Sequence, residues 1–174
     1  MKKTNYMANQ AMIAAIYTVL SVCLSAISYG PVQIRISEAM TLLPVFGIHN
    51  VWGVTIGCFM TNLIGFFSGA NILGGLDMIF GTAATFVAAL TSFALRNIRF
   101  KNLPVLSAIP PIVFNAVVIG WELCVVIAGG FNPAVFAAQA IAVAAGQFLS
   151  CMVAGLLMVK IIENNKELKQ RLSK

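Results

Sequence analysis

Charge is scarce in this chain: 9% of its 174 residues are Asp, Glu, Lys or Arg, while 60% are hydrophobic. A soluble domain of that length cannot cover its surface with so few charges, so most of its exterior must face a lipid bilayer. Histidine occurs once, at His49, and the four cysteines, Cys23, Cys58, Cys124 and Cys151, each stand alone in an apolar run. With no C-x-x-C, no H-E-x-x-H and no second histidine, zinc and dithiol chemistry are both unsupported, and no metal site is expected. A G-x-x-x-x-G-K-[ST] phosphate loop is also missing, so this chain does not itself hydrolyse ATP. The single aspartate, Asp77, does not make an aspartyl protease, and no serine–histidine arrangement is convincing. The expectation is a protein that is not an enzyme, with no catalytic residues, no resident cofactor and no nucleic-acid partner.

What is present is long apolar runs, and these place helices at about residues 8–28, 51–68, 77–95, 103–129 and 131–162. Each approaches or exceeds the ~20 residues needed to cross a hydrocarbon core. Lys2 and Lys3 precede the first run, but its apolar stretch exceeds the ~7–15-residue core of a cleaved signal and reads as a retained helix. A sixth segment, 38–48, is short, carries Pro44, and as an α-helix at ~1.5 Å per residue reaches about half way across. Charge decides whether it crosses, because positive residues mark cytoplasmic loops. Of the 11 Lys and Arg, Lys2 and Lys3 open the chain, Arg96, Arg99 and Lys101 share one connection, and five lie in the tail Lys160–Lys174. These clusters fall on one side only if the short segment crosses as well. The expected architecture is therefore an all-α membrane protein: one domain, 1–174, a six-transmembrane-helix bundle with a short second helix and both termini cytoplasmic. Outer connections are expected at Tyr29–Ser37, Gly69–Leu76 and the turn Gly129–Pro133, and the tail reads as a solvated extension of the last helix.

In that topology the remaining acids, Glu38, Asp77 and Glu122, all lie in the outer half of the membrane, together with Arg35. Glu122 is about seven residues before the outer end of its helix, roughly 10 Å down. An intramembrane carboxylate costs several kcal/mol unless paired or hydrated, which marks it for function. The bland alternative is an internal ion pair or a hydrated crevice. Gln139 lies at a similar depth, and Asn115 and Gln147 are placed to meet near the midplane; such amides also join helices routinely. With Trp121 or Tyr29 as an aromatic plane, a carboxylate and several amides suit a flat heterocycle bearing clustered N–H donors or an ammonium group. On the first helix, Ala11 and Ala15, with Ala14 and Thr18 beside them, form small-xxx-small patterns that permit close helix approach.

Three stretches resemble a known family. They are Tyr29-Gly-Pro-Val-Gln-Ile-Arg-Ile-Ser-Glu-Ala-Met40 with Thr41-Leu-Leu-Pro44, then Ile56-Gly-Cys-Phe-Met-Thr-Asn-Leu-Ile-Gly65, then Leu76-Asp-Met-Ile-Phe-Gly81-Thr82. Together they are similar to the signature of the QueT family, over essentially the whole chain. The resemblance implies a substrate-binding S-component of an energy-coupling factor (ECF) transporter, multi-pass in a prokaryotic plasma membrane. It implies capture of a queuosine precursor of the 7-deazaguanine type, such as 7-aminomethyl-7-deazaguanine or queuine, followed by toppling to release it inside. Its implied partners are a transmembrane scaffold protein, docked on the A-x-x-x-A face of Ala11 and Ala15, and two ATPases that use the ATP. A 7-deazaguanine presents adjacent N–H donors that one carboxylate accepts in bidentate fashion. Glu122 is the first choice for that role and Asp77 the second, with Arg35 and Glu38 pairing to latch the first outer loop. The rival readings are an S-component for another vitamin or nucleobase, a membrane scaffold protein without a small ligand, and a self-contained secondary transporter.

Overall fold

The computed structural model describes residues 3–24 and 35–173. Helix α1 spans Lys3–Cys23 and is followed by a 3-10 helix, Ile36–Val45. Next come α2, Asn50–Phe67, and α3, Gly75–Ala94. A single 3-10 turn, Val105–Ala108, leads into α4, Ile109–Ala128. The last long stretch is α5, Pro133–Gln147, continued by a π-helical segment, Phe148–Gly155, and α6, Leu156–Asn164; α7, Lys166–Ser173, closes the chain. Five stretches are long and apolar enough to cross a membrane: Tyr6–Cys23, Asn50–Phe67, Gly75–Ala94, Val105–Ala128 and Pro133–Asn164. The 3-10 helix Ile36–Val45 is apolar but falls below that length.

Local chemistry sets the boundaries. Pro110 and Pro111 stand in the first turn of α4, where a missing N–H costs nothing. Gly129, at φ 67°, ends the same helix in the left-handed region. Asn132 then caps α5, its side-chain oxygen accepting from the backbone N–H of Ala134 at 3.0 Å and Val135 at 3.2 Å. The sequence expectation of a tight turn at Gly129–Pro133 holds for these reasons.

The short second helix differs from expectation in its winding. At ~2.0 Å rise per residue a ten-residue 3-10 helix extends about 20 Å, against about 15 Å for an α-helix of equal length. Runs this long are uncommon because side chains at i and i+3 eclipse. Here every residue from Ser37 to Val45 is buried, wedged among α1, α2, α3 and the π-helical segment. A local and a tertiary bond hold the overwound backbone: the Glu38 carbonyl accepts from Thr41 Oγ1 of the same helix at 2.6 Å and from Cys151 Sγ at 3.5 Å.

Contacts gather one end of the bundle. The Tyr6 ring meets His49 edge-on at 4.6 Å, Gln10 Nε2 donates to Asn50 Oδ1 at 3.2 Å, and Arg99 pairs with Glu163. The tail is not a solvated extension of α6. Asn165 leaves the helix in extended conformation and caps α7, accepting from the N–H groups of Glu167 and Leu168 at 3.1 Å. Helix α7 then folds back, so that the Leu172 carbonyl accepts from Asn50 Nδ2 at 3.0 Å and the Arg171 carbonyl from Asn9 Nδ2 at 3.3 Å. Leu168 and Leu172, four apart, supply its apolar side, which lines a groove with Met12, Ile16 and Met158.

The two small-residue patterns of α1 separate. Ala14 is buried against α2, while Ala11 and Ala15 are exposed. A Cβ added at Gly57 of α2 would lie 2.7 Å from Tyr17 Cβ and 3.1 Å from Ala14 Cα. The glycine is thus what lets α1 and α2 approach. Replacing it (Gly57→Val) forces the helices apart, a destabilisation of about 1–3 kcal/mol, read as a lowered Tm in detergent. An unchanged Tm would show that this contact is slack.

Candidate functional site

The site begins at the start of α3, away from the gathered end. Gly74, at φ 61°, turns the chain into the helix and puts Asp77 in its first turn, where the helix dipole favours an anion. Asp77 Oδ2 accepts from Arg35 Nη2 at 2.6 Å and from Asn71 Nδ2 at 2.7 Å. The ion pair is sealed, its side chains 4% and 0% exposed. Asn62 Nδ2, from α2, donates to the Asp77 backbone carbonyl at 2.8 Å. Asn71 Oδ1 accepts from Leu73 N–H at 3.1 Å, an Asx turn that ties the α2–α3 loop down over the pair. One turn along α3, a Cβ at Gly81 would collide with Asp77 Oδ1, so the absent side chain makes room for the carboxylate.

Two further carboxyls surround this pair. Glu38 lies in the first turn of the 3-10 helix, and its Oε1 accepts from Tyr17 OH of α1 at 2.6 Å. The Asn115 amide of α4 faces the same carboxyl as a donor, while Oε2 keeps no hydrogen bond of full geometry among the described residues. Glu122, seven residues beyond Asn115 and so on the same face of α4, is 0% exposed. Neither of its oxygens has a hydrogen-bond partner among the described residues, and the charges of Arg35 and Asp77 both act on it. Glu38 Oε2, Asp77 Oδ1 and Asn62 Oδ1 are likewise buried without partners. A buried polar atom without a partner is expensive, and buried native groups are nearly always paired. The unpaired atoms here are mostly acceptors, and one guanidinium faces three carboxyls. Such a set is complemented by a molecule rich in N–H donors, with positive charge.

The sequence expectation pairs Arg35 with Glu38; among the described residues the ion pair of Arg35 is with Asp77 instead. Arg35 precedes the 3-10 helix with extended backbone, φ −90° and ψ 95°, so its side chain does not stack over residue 38 and crosses to α3. Glu38 turns to α1. Gln147 is buried, but its Oε1 accepts from Cys151 Sγ at 3.4 Å, and no hydrogen bond joins it to Asn115 among the described residues. Trp121, 37% exposed, lies on the bundle surface with its ring edge-on to Phe80. Gln139 is half-buried on α5 and enters none of these hydrogen bonds. Tyr29 lies outside the described residues. The residues that sequence reasoning missed are Tyr17, Asn62 and Asn71. An amide in the middle of an apolar span was a usable signal for Asn62; nothing in the pattern distinguishes Tyr17 from an ordinary packing residue. No cluster of His, Cys, Asp and Glu suited to a metal is found among the described residues.

The family profile described as QueT transporter matches residues 7–164, a range that takes in every residue of this site. A protein of Lactococcus lactis subsp. cremoris (strain MG1363), named queuosine precursor transporter QueT, is 39% identical over 79 residues. That stretch is 44% of this chain and 47% of the relative, so the chain spans about half the length of the relative it matches. No solved structure matches the chain.

Removing one partner of a sealed ion pair leaves a buried, uncompensated charge. Asp77→Ala is therefore expected to destabilise the unliganded protein by about 3–5 kcal/mol, while the double change Arg35→Met with Asp77→Leu recovers much of the loss. Thermal unfolding in detergent checks both; a double variant no better than the single one would mean the pair is not the source of the cost.

Proposed function

The chain belongs to the QueT transporter family, and from that premise we propose that it is the substrate-capture subunit of an ATP-driven ECF importer, binding a queuosine precursor of the 7-deazaguanine type. It is a multi-pass membrane protein of a transporter family. The observation that carries the proposal is Glu122, buried with both carboxylate oxygens unpaired among the described residues. A 7-deazaguanine offers a ring N–H and an exocyclic amino group on one edge, spaced for bidentate acceptance by a single carboxylate. The Asp77 carboxylate, by contrast, is already engaged by Arg35 and Asn71 through Oδ2, which makes Glu122 the better acceptor. The excess of carboxyls over guanidinium favours a cationic member of the series, 7-aminomethyl-7-deazaguanine, over a neutral one.

In this reading the 3-10 helix counts as a crossing, giving six, and the end where Tyr6, His49, Glu163 and α7 meet is cytoplasmic. Supporting it, that end carries Arg99, Lys166, Lys169 and Arg171, as the bias of cytoplasmic loops requires. The buried acid cluster then lies toward the outer side of the membrane. The exposed Ala11 and Ala15 face is free for a transmembrane scaffold protein, and ATP is consumed by two partner ATPases.

The capture reading is tested by thermal stability in detergent against pyrrolopyrimidines, purines and vitamins. A ligand at 100 times its Kd stabilises the fold by about 2.7 kcal/mol. A shift selective for 7-deazaguanines is the expected result, and a selective shift with an unrelated vitamin would transfer the role to that solute. Glu122→Gln is expected to weaken binding at least tenfold, about 1.4 kcal/mol, without lowering the Tm of the unliganded protein, because the charge it removes has no partner. Ala15→Trp is expected to abolish uptake in cells yet spare binding by the isolated chain; normal uptake would move the docking face elsewhere.

A further inference from the structure

Tyr17 is 0% exposed in the middle of α1, with the base of its ring filling the space opposite Gly57. Apolar packing there does not call for a hydroxyl, since a phenylalanine fills the same volume. The hydroxyl instead donates to Glu38 Oε1 at 2.6 Å, the length of a charge-assisted O–H···O bond. The chain around Glu38 is fixed independently. Its carbonyl is held from Thr41 and Cys151, and the Ser37 hydroxyl meets that of Ser21 at 2.6 Å. What remains adjustable is the carboxyl itself, and Tyr17 pins one of its oxygens. The other, Oε2, is buried without a hydrogen bond of full geometry among the described residues, and the Asn115 amide of the Glu122-bearing face is the polar group turned toward it.

We propose that Tyr17 is a positioning residue for the solute: by clamping Glu38 through Oε1 it pre-aims Oε2 as a second acceptor, so that the site reads donors on two edges of one molecule. Glu122 takes the ring edge and Glu38 takes the donor on the substituent side. A rotamer fixed before binding is not lost on binding, which is how such a clamp raises affinity without touching the solute. The inference rests on the capture reading above.

The test compares two solutes on the isolated full-length chain: 7-aminomethyl-7-deazaguanine, with donors on both edges, and 7-deazaguanine, which lacks the substituent. Tyr17→Phe is expected to weaken binding of the first about tenfold and of the second less than twofold, with the Tm of the unliganded protein close to the parent's. Adding Glu38→Gln to Tyr17→Phe is expected to cost no more than Glu38→Gln alone, because once the carboxylate is gone the hydroxyl has no acceptor left to aim. Equal losses for the two solutes, no loss for either, or additive losses in the double variant would overturn the positioning role. If Tyr17→Phe does not fold, Glu38→Gln by itself reports the same two-solute difference. A parent protein that binds neither solute removes the capture reading and this inference together, whereas a parent that binds both beside an unaffected Tyr17→Phe removes this inference alone.

Discussion

The buried ion pair between Arg35 and Asp77 is the constraint around which the rest of the outer end is arranged. Arg35 belongs to the segment entering the 3-10 helix and Asp77 to the first turn of α3, so the 2.6 Å contact fixes the position of one element on the other. Asn71, from the α2–α3 loop, adds a second donor to Asp77 Oδ2, and Asn62, from α2, holds the Asp77 backbone carbonyl. Two charges out of water are tolerated only with such supporting bonds. Their presence explains why a loop rich in glycine is tied down, and why Gly81 is a glycine. The pair also sets the electrostatics seen by Glu122, a carboxyl with no hydrogen bond to either oxygen among the described residues.

Two irregular helices lie against each other beneath that site. The 3-10 helix is overwound, the π-helical segment Phe148–Gly155 is underwound, and they touch where Cys151 bonds to the Glu38 carbonyl and Gly155 approaches the Ala39 carbonyl. Neither winding is the intrinsic preference of its sequence; π-helical turns are rare and concentrate at functional positions. Packing around a fixed polar cluster imposes both. The second helix spans more distance than its ten residues would in α form, which lets a short segment connect the far end of α1 to the start of α2.

Much of this was legible in the sequence. Apolar run lengths located the five long helices, and Gly129, Asn132 and Pro133 announced a turn by chemistry that the structure repeats. The depth of Glu122 was readable because charge in an apolar run is conspicuous. Partner choice was not. Arg35 and Glu38 are three apart, and pairing them is the natural guess; backbone conformation at Arg35 sends the guanidinium elsewhere, and a one-dimensional pattern carries no record of that. Trp121 is next to Glu122 in sequence, yet neighbouring positions on a helix diverge by about 100°, and the ring meets Phe80 at the surface. The fold-back of the tail depends on Asn9 and Asn50, far away in sequence, so the tail's own composition does not show it.

The imbalance of one guanidinium against three carboxyls has an electrical side. With those carboxyls ionised, the empty site holds two more negative charges than positive ones, and a monovalent cation reduces the excess to one. Each uncompensated charge that moves through the full field of a membrane at 100 mV exchanges about 2.3 kcal/mol with it. Voltage would then act differently on the loaded and the empty protein, because the bound cation changes by one the charge that moves with the site.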